Sequence, residues 1–165
     1  MNDTFYEHIV QRKVKMSDIL IKVLLIVVTV VLAVSSMFFG MVMIFAAVAF
    51  GLLAKFLIMP RLNVEFEYAL LNHELNIDKI YNREKRKNLF SIDLKDAEVI
   101  APMNSHRLDS YHSFVKKDCS MADDSQTPYA VMCNISGQMN CILINPDEHM
   151  LDMMQTFLPR TMFRD

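Results

Sequence analysis

From Val23 to Ala54 the chain carries no charged residue, whereas beyond Pro60 apolar and polar side chains alternate with a period near two. The first pattern predicts membrane helices and the second predicts strands. A helix rises ~1.5 Å per residue and the hydrocarbon core of a bilayer is ~30 Å thick, so Ile19–Met59 is about twice as long as one crossing needs. The stretch "SSMFFG", Ser35 to Gly40, lies near its middle. Serine competes for backbone hydrogen bonds and glycine adopts dihedrals closed to other residues, so a break is predicted there. Two spans result, Ile19–Val34 and Met41–Met59, which together form a transmembrane hairpin over residues 19–59.

Charges flanking the run set an orientation. Arg12, Lys13, Lys15 and Lys22 stand at the start of the first span, Lys55 and Arg61 close the second, and the connection carries none. The positive-inside rule then places both termini and the C-terminal domain on the cytoplasmic side of the cell membrane. A cleavable signal peptide would have a shorter apolar core, and a soluble helix pair would show an amphipathic period. Ala47 and Gly51, four residues apart, allow a close helix contact, either with the first span or with a second copy. Ahead of the hairpin, residues 1–18 read as an amphipathic helix on the membrane surface. Thr4 and Glu7 have capping-box spacing, and Phe5, Ile9 and Val10 follow at helical intervals.

After Pro60, "NVEFEYALL" puts Val64, Phe66, Tyr68 and Leu70 on one face and Glu65 and Glu67 on the other, a half-buried strand. Asn72 and His73 separate it from "ELNIDKIY" by a two-residue turn. "NLFSIDL", "DAEVIAP" and part of "SYHSFVKKDC" read as further strands, and "YAVMCNIS" and "MNCILIN" as a hairpin about Gly137. "NPDEHMLDMMQTFLP" carries a helix start, with Asn145 as cap, Pro146 at the first position and Glu148 closing a capping box. Its apolar face would be Met150 or Leu151, Met154, Phe157 and Leu158, and Pro159 ends it.

About seven short antiparallel strands followed by one amphipathic helix is the element order of pleckstrin-homology-like (PH-like) domains. The stretch "ELNIDKIYNREKRKNLFSIDLKDAEVIAP" resembles the membrane-tethered PH-like proteins of bacteria, small uncharacterised families with two transmembrane helices ahead of one such domain. The resemblance implies an α-helical transmembrane hairpin followed by an α+β PH-like domain at 61–165, a partly open barrel capped by its C-terminal helix. It supplies no active-site residues. It also departs from lipid-binding PH domains, whose first hairpin is basic, since that turn here is "LLNHEL".

Charge narrows the function classes further. Residues 61–165 hold 12 Lys and Arg against 16 Asp and Glu, a net of −4, the wrong sign for a nucleic-acid binder. Cys119, Cys133 and Cys141 form no Cys-x-x-Cys pair and read as reduced, packed thiols, in keeping with a cytosolic setting. The densest charge run is "REKRK", where Arg83, Lys85, Arg86 and Lys87 could meet an anionic leaflet or an acidic partner. "HRLDSYH" spaces His106, Asp109 and His112 at three-residue intervals with Cys119 nearby, an arrangement that matches no established metal motif. Gly137 is the one glycine after Pro60, which excludes phosphate-cradling and dinucleotide loops, and no nucleophile elbow is present.

These features describe a membrane-tethered, non-enzymatic binding or scaffolding protein without a cofactor or metal. Its partners would be the bilayer, a membrane or cytoplasmic protein, or its own copies. Binding of anionic lipid headgroups through Arg83, Lys85, Arg86 and Lys87 is the alternative, and a metal-dependent enzyme at the histidine run is the reading from another class.

Overall fold

The apolar run folds into two helices, α1 (Met16–Phe39) and α2 (Met41–Leu53), the second continued by a π-helical turn at Ala54–Ile58. A computed structural model of the chain describes residues 5–14, 16–58, 62–123 and 125–165. The apolar helices Met16–Phe39 and Met41–Ile58 hold 24 and 18 residues, or about 36 and 27 Å of rise, each long enough to cross a bilayer. Their outward side chains are apolar and exposed, among them Leu20, Val30, Phe38 and Phe45.

The break falls on Gly40. Its φ of 75° and ψ of −165° occupy a region that L side chains avoid. Ser35 and Ser36 do not break the helix; their hydroxyls donate to the Val31 and Ala33 carbonyls one turn back, at 2.7 and 2.6 Å. Beyond Gly40 the chain doubles back. A Cβ placed on Gly51 would sit 3.5 Å from Thr29 Cγ2, and Ala47 is buried. The small-residue stripe therefore packs on the first helix of the same chain.

The chain divides into two compact units, this helical one and a β-domain. The β-domain opens with β1 (Phe5–Gln11), ahead of the helices, and resumes with β2 (Val64–Leu71), β3 (Glu74–Tyr81) and β4 (Lys85–Asp93). These four form one sheet in the order β1-β2-β3-β4. The remaining strands, β5 (Ala97–Pro102), β6 (Val115–Asp118), β7 (Tyr129–Ile135) and β8 (Gln138–Ile144), form a second sheet in the order β5-β7-β8-β6. Neither sheet closes into a barrel. The helix α3 (Glu148–Phe157) follows, burying Met150, Leu151, Met153 and Met154.

Four expectations change. Residues 5–11 are a strand, not an amphipathic helix, and Thr4, the expected cap, lies outside the described residues. Tyr6, His8 and Val10 pair with Leu70, Tyr68 and Phe66. They are the every-second-residue set that a strand buries, and Val10 is 1% exposed. The β-domain is accordingly not confined to 61–165: the helical hairpin is inserted between its first two strands. Second, β6 runs parallel to β8, so the sheet is not wholly antiparallel. Third, the cap of α3 is Asp147, whose carboxylate accepts from Met150 N–H at 2.9 Å. Asn145 is buried instead, and its Oδ1 accepts from Met121 N–H at 2.8 Å. Fourth, Phe157 lies on the exposed side of α3 and Met153 takes a place in its buried face.

After α3 the chain lies along β5. Ile100 N–H donates to the Thr161 carbonyl and Phe163 N–H to the Ile100 carbonyl, both at 2.8 Å, so this sheet edge is covered.

Candidate functional site

The basic turn divides by function. Asn82 and Arg83 both have positive φ, 50° and 60°, and Glu84 N–H bonds the Tyr81 carbonyl at 3.1 Å, the signature of a type I′ turn. Asn82 N–H also donates to the Asn63 carbonyl at 2.9 Å, which ties the turn tip to the segment that follows the second apolar helix. Lys85 and Lys87 are exposed at the start of β4, an edge strand. Arg86 is directed back onto its own sheet. Its Nη2 lies 2.6 Å from Glu67 Oε2 and its Nη1 3.9 Å from Asp78 Oδ2. Glu67 is 2% exposed. Burial pushes its carboxyl up, with Glu7 and Asp78 adding to the rise, and the Arg86 guanidinium offsets only part of that. Arg86 is thus the counter-ion of a buried carboxylate.

A polar knot joins β1 to α3. The Asp147 carboxylate caps α3, accepts a short hydrogen bond from the Tyr6 hydroxyl and lies 3.5 Å from His8 Nδ1. The Tyr6 ring meets the His149 ring edge-on at 4.7 Å between centroids. Partial burial works to raise the Asp147 carboxyl, but the Tyr6 hydroxyl, the Met150 amide and the two imidazoles outweigh it and hold it below the usual range. At the other end of β1, Lys13 N–H donates to the Met121 carbonyl at 2.7 Å, and Lys13 Nζ lies 2.9 Å from Asp123 Oδ1. On β2, paired with His8 of β1, Tyr68 is wholly buried; its hydroxyl donates to the Cys119 carbonyl at 2.5 Å and accepts from Asn145 N–H at 3.3 Å.

The histidine run forms a flap over the second sheet. Ser105 caps a short 3₁₀ turn at His106–Leu108, and successive turns carry the chain to Phe114. His106, Asp109 and His112 are exposed, while Leu108, Tyr111 and Phe114, at the same three-residue spacing, are half-buried. These three and Met103 pack on the sheet face made by Ala130, Met132, Cys141 and Leu143. His106 Nδ1 lies 3.2 Å from Asp109 Oδ2 in solvent. Among the described residues no three His, Cys, Asp or Glu side chains converge as metal ligands. A cavity of about 250 Å³ remains under the flap, with Tyr111, whose hydroxyl donates to Glu98 at 3.0 Å, in its wall.

The profile of the bacterial PH-like domain family DUF6106 matches residues 2–164, which takes in β1, both apolar helices and the β-domain. The chain belongs to this family. Comparison with curated proteins and with solved structures gave no match.

Membership in this PH-like family accords with the two sheets and terminal helix, and the family's span shows that the inserted hairpin lies within the matched unit. The knot of Tyr6, His8, Asp147 and His149 escaped sequence reasoning because it exists only once β1 joins β2. A signal was present: in "FYEHIVQ" Tyr6, His8 and Val10 alternate with residues of the other face. The three cysteines are buried and free of disulfides. Burial pushes Cys119 up to about 12 and Cys133 up to about 11, which makes both poor nucleophiles.

Proposed function

We propose that the protein is a membrane-tethered, non-enzymatic binding module that holds a PH-like domain at the cytoplasmic face for a protein partner. The observation carrying this reading is the insertion of the hairpin between β1 and β2. Gln11 and Glu65 are paired neighbours in one sheet, and the two apolar helices lie between them in the chain. A chain that leaves and re-enters one folded sheet crosses a bilayer an even number of times, which favours two crossings by the hairpin. The exposure of the helices' apolar side chains argues against the core of a soluble fold. The helices are not a removable leader either, because β1 precedes them and completes the sheet. Tethering raises the domain's effective concentration toward other membrane components, so modest contacts suffice for binding. The flanking cations favour the cytoplasm for this side.

One observation favours a second reading, contact with anionic headgroups. The turn carrying Arg83 is bonded to Asn63, five residues after the end of the second apolar helix at Ile58. Five residues reach at most about 18 Å, which keeps this turn near the surface of any bilayer that the helix spans. Photo-crosslinking from Lys85 and Lys87 positions of the full chain in native membranes separates the two readings. Protein adducts support the binding module, lipid adducts support headgroup contact, and absence of both from either position contradicts both.

A further inference from the structure

The second sheet is covered on its outer face by the flap, and that face is finished in an unusual way. Met132 and Cys141, paired across β7 and β8, are each 1% exposed and form an apolar floor. The walls, Met103, Leu108, Tyr111 and Phe114, are only half-buried although they are the flap's sole apolar anchors among the described residues. Between flap and floor lies a concavity of about 250 Å³ that is partly open to solvent. An engineered apolar cavity of ~150 Å³ takes benzene, so this volume suits a bicyclic ring or a short alkyl group. The lining contains no cation. Its one charged member is the Asp109 carboxylate, exposed at the rim beside His106.

We propose that the space beneath the flap is a binding site for a compact, uncharged, largely apolar molecule carrying one hydrogen-bond donor. Met and aromatic walls adapt to such a shape, and the Asp109 carboxylate accepts the donor at the mouth. The flap consists of turns outside either sheet's ladder, so it opens without disturbing the strands. The spacing of "HRLDSYH" follows from this arrangement: one side of the flap lines the pocket and the other faces solvent. The site is independent of the membrane reading, since every residue in it belongs to the β-domain.

Cys141 reports on the site directly because it is the cysteine in the pocket floor. The full chain in zwitterionic nanodiscs is treated with methyl methanethiosulfonate, a small neutral thiol reagent, and each cysteine is quantified by mass spectrometry. Cys141 is expected to react ~10-fold faster than Cys119 and Cys133, because it alone of the three lines the pocket through which the reagent can reach a sulfur. Indole, the probe ligand, slows Cys141 alone, and indene, equal in shape without the N–H, slows it less. Asp109→Ala removes the difference between indole and indene, and its exposed position leaves the fold intact. Leu108→Trp fills the space and abolishes protection by indole while Cys119 and Cys133 stay unreactive. Cys141 reacting as slowly as the other two thiols, or at a rate indole does not change, would overturn the proposal. So would protection by indole that survives Leu108→Trp.

Discussion

Replacing Tyr68 by Phe removes one oxygen from the middle of the β-domain and leaves the ring in place. That oxygen holds three segments together: β2, which carries it, the Cys119 carbonyl at 2.5 Å and the Asn145 amide at 3.3 Å. Burial raises the hydroxyl's pKa far above the ordinary tyrosine range, so it stays a neutral donor wherever the fold survives. In the Phe variant the carbonyl loses a close donor and the amide loses a distant acceptor. An orphaned buried group costs ~1–3 kcal/mol; the short bond belongs near the top of that range and the long one adds little, giving a loss of about 2 kcal/mol. The hole left by one oxygen is too small for a water to enter and repair the network. For a domain of this size ~1 kcal/mol corresponds to ~4 °C, so Tm should fall by about 8 °C. Near-ultraviolet circular dichroism of the full chain through a thermal ramp measures this. A shift below ~2 °C would show that the hydroxyl is not the tie between these segments, and the account of the core would be wrong.

Further predictions follow from β1 and its neighbours. Val10→Asp places an unpaired carboxylate where the native residue is 1% exposed, and costs several kcal/mol, while Ile9→Asp, at a position 56% exposed, stays within ~0.5 kcal/mol. Hydrogen exchange of β2 amides reads the contrast, and equal effects at the two positions would exclude the strand. Arg86→Gln leaves Glu67 without its counter-ion and destabilises by about 1–3 kcal/mol at neutral pH, discounted for the arginine's exposure. The folded Glu67 carboxyl is already raised, so this penalty grows as pH rises through its pKa and shrinks in acid, and Glu67→Gln in the same chain removes it; denaturant titrations at two pH values test this. Asp147→Ala loses the cap of α3 and the tie to Tyr6, at about 1–2 kcal/mol. Its carboxyl is held low, so the native advantage is full above the unfolded value of ~3.9 and disappears as pH falls through the folded one; a penalty unchanged at low pH would exclude the ionised form as the stabilising species.

The strands after Pro60 were legible because their periods were clean: "NVEFEYALL" alternates over its whole length and Gly137 marks a tight turn. The helical hairpin was legible from length alone. β1 was not, because "TFYEHIVQRKVKM" satisfies both a strand period at Tyr6, His8 and Val10 and a helical one at Phe5, Ile9 and Val10. Proximity to a membrane span favoured the helix, and pairing with β2, distant in sequence, decided for the strand. The cap of α3 slipped by two residues because Asn145 and Asp147 are both good caps, and Asn145 was claimed by Met121 N–H. "REKRK" was visible as a charge run, but the partition between Arg86 and its neighbours depends on a buried glutamate two strands away, on β2. "HRLDSYH" suggested ligands through its polar residues, whereas the structural information lay in Leu108 and Tyr111 between them.

The proposal that the helical hairpin between two paired strands spans a membrane is tested most directly by topology. Reporters active only inside or only outside the cell are fused at the N-terminus, within the turn at Gly40 and after Asp165. The account predicts both termini inside and Gly40 outside. Termini on opposite sides, or Gly40 on the same side as the termini, would contradict it.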